Sequence, residues 1–158
     1  MIEKIAELLK NKKLWVATAE SCTSGLVAHT LTNISGSSEY FKGGVVAYSN
    51  EIKVKILGVK EETLKKYGAV SEQTAREMAE GARKAIGANI AIATTGIAGP
   101  TGGTAEKPVG LVYIALATPK ATEVRKFLFK GNRIENKQNF CNAALGMLLE
   151  YLEKIDEK

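Results

Sequence analysis

Residues 19–25 read Ala-Glu-Ser-Cys-Thr-Ser-Gly, between a short β-like run, Leu14-Trp15-Val16-Ala17-Thr18, and a helical pattern. Ser21 is therefore predicted where a strand hands over to a helix. A hydroxyl on such a turn is held on a rigid element and can act as a nucleophile. The backbone N–H groups of Cys22 and Thr23 are expected at a helix start. That end is partly positive and suits an anion or an oxyanion. The spacing does not match G-x-S-x-G, and an ordinary helix cap is the competing reading, since Ser and Thr are favoured there.

Three further groups bear on the chemistry. Lys53 falls in the first turn of a helix predicted to open at Asn50, where a cation opposes the helix dipole. Desolvated in a pocket, such a lysine loses its proton more readily and can serve as a base; in water it is an ordinary surface lysine. Gly96, Gly99, Gly102 and Gly103 lie in a loop after a buried strand. They free the backbone to approach a phosphate or a carbonyl, in a pattern that is neither a Walker loop nor G-x-G-x-x-G. Arg133, after Gly131-Asn132, can clamp an anion or remain a surface arginine. Glu20 can act as an acid or as an ion-pair partner. His29 is the single histidine and has no acid placed with it, so a Ser-His-Asp triad has little support. Trp15 and Tyr113 read as core.

The elements that must hold these residues alternate. Helices are expected at about 2–11, 22–34, 50–57, 60–66, 71–86 and 134–154. Strands are expected at 14–18, 45–48, 90–93, 109–118 and 123–130, the last two as an antiparallel hairpin around Pro119-Lys120. The buried stripe of the helix after Ser71 reads Ala75, Met78, Ala79, Ala82 and Ile86. The helix after Asn50 is expected to bury Ile52, Ile56 and Leu57. This alternation predicts an α/β fold: a three-layer α/β/α sandwich on a mixed, mostly parallel sheet of about five strands. Ligands gather at the carboxyl ends of strands in such sheets. Ser21, Tyr48-Ser49-Asn50 and Thr95-Gly96 all fall there.

The 158 residues suit one domain with a real core, at 45% hydrophobic and 25% charged. The formal net charge of +5 is spread over dispersed Lys and Arg, and only 6% of residues are aromatic. That favours anionic ligands weakly and gives no sign of nucleic-acid binding. Cys22, Cys141 and His29 form no zinc spacing and no disulfide framework, so reduced thiols in a cytoplasmic protein are expected. The first residues read as an amphipathic helix rather than a leader, and no apolar run is long enough to span a membrane.

Segments spread over almost the whole chain resemble one family, in order: Ala-Glu-Ser-Cys-Thr at 19–23, Tyr-Ser-Asn-Glu at 48–51, Gly-Ala-Val-Ser at 68–71, Thr-Gly-Ile-Ala-Gly-Pro at 95–100 and Lys-Pro-Val-Gly at 107–110. They are similar to the C-terminal domain of CinA, which also occurs alone as nicotinamide-nucleotide amidase. The resemblance implies one such domain over 1–158. It implies hydrolysis of the carboxamide of nicotinamide mononucleotide to nicotinate mononucleotide and ammonia, with no metal, no cofactor and a homo-oligomer, a dimer favoured. It puts the family's serine on Ser21, its lysine on Lys53, its tyrosine and threonine on Tyr48 and Thr95, and its arginine on Arg133. Cys22, Thr23, Gly96, Gly99, Gly102 and Gly103 would meet the substrate. Three positions depart from the family's usual residues: Ser24 in place of a second glycine, Asn132 in place of aspartate and Lys137 in place of a second arginine.

Several readings remain open at this level. Lys53 can deprotonate Ser21 for acyl transfer, or activate a water while Ser21 orients the amide. The substrate can be another small amide. The domain can also be a non-catalytic nucleotide- or protein-binding module tied to DNA uptake.

Overall fold

The computed structural model describes residues 1–155. Its elements run α1 (Ile2–Lys12), β1 (Val16–Glu20), α2 (Leu26–Leu31), β2 (Phe41–Val46), α3 (Asn50–Lys55), α4 (Glu61–Tyr67), α5 (Glu72–Ile86), β3 (Ile90–Gly96), β4 (Leu111–Ala117), β5 (Thr122–Leu128) and α6 (Arg133–Lys154). The sheet order is β2-β1-β3-β4-β5. β1 runs parallel to β2 and β3, while β4 is antiparallel to β3 and β5. Only β4 is therefore reversed, and the sheet is mixed with four of its five strands in one direction. The β4–β5 hairpin is present as expected.

The strands alternate large and small side chains, and this decides the layers. Val16, Ile90, Ile92, Val112, Ile114 and Leu116 face the helices α1, α2 and α6, packing with Leu9, Leu31, Phe140 and Leu148. Ile92 and Ile114 are almost completely buried, a transfer worth about 1.5–3 kcal/mol each. The other face is nearly all alanine: Ala17, Ala19, Ala91, Ala93, Ala115 and Ala117. It meets Ala75, Met78, Ala79 and Ala82 of α5. Small side chains on both surfaces let α5 lie close to the sheet. The segment before α4 also presses on α5: a Cβ on Gly81 would fall 1.8 Å from the Leu57 carbonyl oxygen.

Several local expectations shift. β1 begins and ends two residues later than its apolar run suggested, so Glu20 is its last residue. β2 includes Gly43 and Gly44, because this edge strand passes close to β1: Thr18 pairs with Gly44, where a Cβ would meet Thr18 Oγ1 at 2.2 Å. α2 starts at Leu26 instead of 22, because Ser24 (φ 44°) and Gly25 (φ 103°) adopt left-handed conformations that no helix continues. Ser49, one residue before Asn50, caps α3 by accepting from Ile52 N at 3.2 Å. Trp15 is 37% exposed with Lys42 Nζ 5.8 Å from its ring centroid, so it is not core; Tyr113 packs half-buried against the alanine face.

Candidate active site

The carboxyl ends of β1, β2 and β3 converge on a cavity of about 330 Å³, lined among others by Ser21, Cys22, Tyr48, Lys53, Thr95 and Arg133. Lys53 is the deciding residue. α3 carries one isoleucine, Ile52, yet Lys53 is its buried residue, at 1% exposed, while Ile56, its C-cap, is 48% exposed. The expected apolar face is thus kept only in part: Leu57, just past the helix, is 3% exposed and Ile52 packs partly buried, while Ile56 turns outward and Lys53 takes a buried place. Its Nζ donates to Ser21 Oγ at 3.0 Å, to Ala47 O at 2.9 Å and to Tyr48 O at 3.0 Å. None of these partners is charged. Burial therefore holds the Lys53 amine below its ordinary value, opposed only by a smaller charge effect from Cys22.

Ser21 follows β1 directly and is itself 8% exposed. Its N–H donates to Thr94 O at 3.0 Å, so the turn is tied to β3. Cys22, beside it, is 7% exposed, and burial pushes its thiol up to about 12. At neutral pH it stays a thiol, which leaves the Ser21 hydroxyl as the candidate nucleophile of this turn. Both cysteines are free. Cys22 and Thr23 do not lie at a helix start, contrary to expectation. The donors that open α2 are filled from within: Glu20 accepts from Val27 N at 2.8 Å and Ala28 N at 3.0 Å. Thr23 is 1% exposed and donates to Glu20 Oε1 at 2.6 Å, away from the cavity lining.

Thr95, 1% exposed, lines the cavity and donates to Ala69 O at 2.7 Å. That bond ties β3 to the 68–71 turn. Arg133 opens α6 and donates to Gly99 O at 2.6 Å and to Tyr48 Oη at 3.3 Å. It spans the glycine loop and the β2–α3 connection. No carboxylate pairs with it among the described residues. Asn132 serves as the N-cap of α6 in a complete capping box with Glu135, so the usual aspartate is replaced without loss of the cap. Lys137 lines an adjoining groove, not the cavity.

The glycines divide. Gly99 and Gly102 line the cavity, with φ of 90° and 92°. Gly96 also lines it, yet glycine is required there by β4, since a Cβ would sit 2.5 Å from Leu111 O. Gly103 lies off the lining and packs on Val109. His29 is exposed and lies off the lining, in the adjoining groove with Lys137. Among the described residues no group of three or more His, Cys, Asp or Glu is placed to hold a metal, and no helix is long and apolar enough to cross a membrane.

Sequence reasoning missed several contributors. Ala69 and Val70 line the cavity, beside Asn50 of the expected Tyr48-Ser49-Asn50 segment. Thr94 is fully buried and sits 2.7 Å from Thr23 Oγ1. Asn136 is fully buried and donates to Ala98 O at 2.9 Å and Gly131 O at 3.0 Å, joining the glycine loop to α6. One polar residue four before Phe140 on the apolar stripe of a helix was the available signal for it.

The model of the CinA C-terminal domain matches residues 1–152. A CinA-like protein of Chloroherpeton thalassium is 56% identical over 154 residues, which cover 95% of this chain but 37% of that protein. The chain thus spans little more than a third of the length of this curated relative. The crystal structure of the competence/damage inducible protein CihA from Agrobacterium tumefaciens matches with a TM-score of 0.90 at 44% identity, covering 96% of this chain and 95% of that one. That of the competence damage-inducible protein A (ComA) from Klebsiella pneumoniae matches with a TM-score of 0.93 at 36% identity, covering 96% and 94%. The chain belongs to the CinA C-terminal domain family.

Proposed function

We propose that this chain hydrolyses the carboxamide of nicotinamide mononucleotide to nicotinate mononucleotide and ammonia, with Ser21 as nucleophile and Lys53 as its base. The observation that carries the reading is the bond between buried Lys53 Nζ and Ser21 Oγ at 3.0 Å, at the edge of the cavity. A neutral lysine amine has two N–H groups and one lone pair. Ala47 O and Tyr48 O accept the two N–H groups. Loss of the third proton reverses the contact with Ser21, to whose Oγ the charged amine donates: the lone pair then accepts the Ser21 proton, and no histidine is needed.

In the first half-reaction Lys53 takes the Ser21 proton as Oγ bonds to the amide carbon. Lys53 then gives that proton to the departing nitrogen, the C–N bond breaks and ammonia leaves. In the second half, water attacks the ester, Lys53 takes its proton, and the Ser21 oxygen leaves and is reprotonated. The oxyanion would be met by backbone N–H groups of Cys22 or of the 96–102 loop. One such donor is typically worth about 3–4 kcal/mol of barrier. Arg133 and the Gly99–Gly102 stretch would take the ribose-phosphate, since Arg133 carries a charge with no carboxylate partner among the described residues. Thr95 acts by holding the 68–71 wall. The enzyme would work as a cytoplasmic homodimer with no metal or cofactor.

Ammonia release from nicotinamide mononucleotide, with chelator present, tests this. The expected result is turnover by the native chain and a loss of at least about 10³-fold in Ser21→Ala and Lys53→Ala. Absence of turnover by the folded native chain would overturn the substrate. A covalent Ser21 adduct seen by mass spectrometry separates acyl transfer from lysine-activated water.

A further inference from the structure

The Ser21 turn rests on a second buried ionisable side chain that the chemistry above does not use. Glu20 is 1% exposed. Its carboxylate accepts from Thr23 Oγ1 at 2.6 Å, Val27 N at 2.8 Å and Ala28 N at 3.0 Å. Val27 and Ala28 belong to the first turn of α2, whose N-cap, Gly25, has no side chain to offer. Thr23 Oγ1 lies 2.7 Å from Thr94 Oγ1, so the same carboxylate reaches β3 through one hydroxyl. The Glu20 backbone carbonyl accepts from Ala47 N at 2.8 Å, and Ala47 O in turn holds Lys53 Nζ. Both partners of the Ser21–Lys53 bond therefore connect to Glu20, one through the chain and one through Ala47.

We infer that Glu20 is a positioning residue for this site: its carboxylate folds residues 21–25 against the start of α2 and so fixes Ser21 Oγ in line with the Lys53 lone pair. An acid is required there because three donors converge on the side chain. A carboxylate offers acceptors only, whereas an amide turns an NH₂ group against an N–H or O–H. The residue touches no substrate. It acts on the angle and distance at which the Ser21 proton is transferred, where small misplacements are costly. This rests on the Ser21–Lys53 chemistry proposed above.

The test uses a readout of Ser21 that needs no substrate. A small sulfonyl fluoride reacts at a competent serine: Oγ bonds to sulfur, the S–F bond breaks, fluoride leaves, and the proton passes to Lys53. Intact-mass spectrometry gives the rate for the native chain, Glu20→Gln, Thr23→Val and Thr23→Ser, each shown folded by circular dichroism. Glu20→Gln and Thr23→Val should label at least about ten-fold more slowly, and Thr23→Ser within about three-fold of native. In parallel, ammonia release from nicotinamide mononucleotide should lose kcat by a similar factor, with KM within about two-fold. Native-like labelling by folded Glu20→Gln overturns the proposal. If Glu20→Gln does not fold, native-like labelling by Thr23→Val does so instead. A native chain that labels at Ser21 but releases no ammonia sinks the substrate assignment alone, and the labelling rates still decide on Glu20. A native chain that never labels at Ser21 sinks both.

Discussion

Lys53 Nζ stands 3.0 Å from Ser21 Oγ, although the two residues are 32 positions apart and lie on different elements. The contact joins the end of β1 to the body of α3, so it exists only when β2 lies beside β1. With Lys53 at 1% exposed and its other two partners backbone carbonyls, the amine has no counter-ion among the described residues to keep it charged.

Lys53 burial sets a pH dependence. The amine is held below its ordinary 10.5 by desolvation, and only its neutral form can accept the Ser21 proton. kcat/KM should therefore rise with pH and level off below pH 10.5. The same group affects stability. Between its folded-state value and 10.5 the unfolded chain binds a proton that the folded chain has shed, so stability gains with rising pH in that window. A pH–rate profile beside melting curves checks both. A flat profile, or a plateau reached only above the ordinary lysine value, would contradict the assignment.

Lys53→Arg keeps the charge and loses the chemistry. A guanidinium does not give up its proton in a protein and has no lone pair to offer. The expected loss is at least about 10³-fold in kcat/KM, as large as for Lys53→Ala. Steady-state kinetics on both variants decides it. An active Lys53→Arg enzyme would rule out Lys53 as the base.

Tyr48 and Arg133 should separate in their effects. Tyr48 holds Lys53 through its backbone carbonyl, which Tyr48→Phe retains. Its side chain is 60% exposed and meets Arg133 at a long 3.3 Å. Tyr48→Phe is expected to cost less than about five-fold in kcat/KM. Arg133→Ala removes the 2.6 Å bond to Gly99 O and, with it, a cation that meets no carboxylate among the described residues. It should raise KM for a phosphorylated substrate about ten-fold or more, equivalent to about 1.4 kcal/mol. A larger effect at Tyr48 than at Arg133 would refute this division.

Gly81→Ala should go against helix propensity. Alanine is ordinarily favoured over glycine in a helix interior by about 1 kcal/mol. Here the new methyl would fall 1.8 Å from Leu57 O, a backbone atom with little freedom to move. The expected change is a loss of at least about 2 kcal/mol, or a Tm lower by about 4–8 °C for a chain of this size. Thermal denaturation measures it, and a raised Tm would show that α5 and the 57 segment separate easily.

Much of the architecture was legible because it is local. Helical periodicity in residues 2–11, the Ser71 cap and Gly87 stop of α5, and the apolar runs of β3 and β4 specify elements without reference to distant partners. Strand ends pointed to Ser21, Tyr48 and Thr95, and the family resemblance of the motifs brought Lys53 and Arg133 in with them as candidates. Their convergence was not local. Sequence placed Cys22 and Thr23 at a helix start, because it carries no record that Ser24 and Gly25 turn left-handed or that Glu20 already fills the α2 donors. It buried Ile56, which is exposed, and left Lys53 between a surface and a buried reading, because a lysine reads as polar until tertiary packing surrounds it with Ser21, Ala47 and Tyr48. Composition and spacing determined which side chains could do chemistry and which strand ends would carry them. Desolvation and hydrogen-bond geometry, which arise only when β1, β2 and β3 close on one cavity, decided that Lys53 is the amine poised to lose its proton and that Ser21 is its partner.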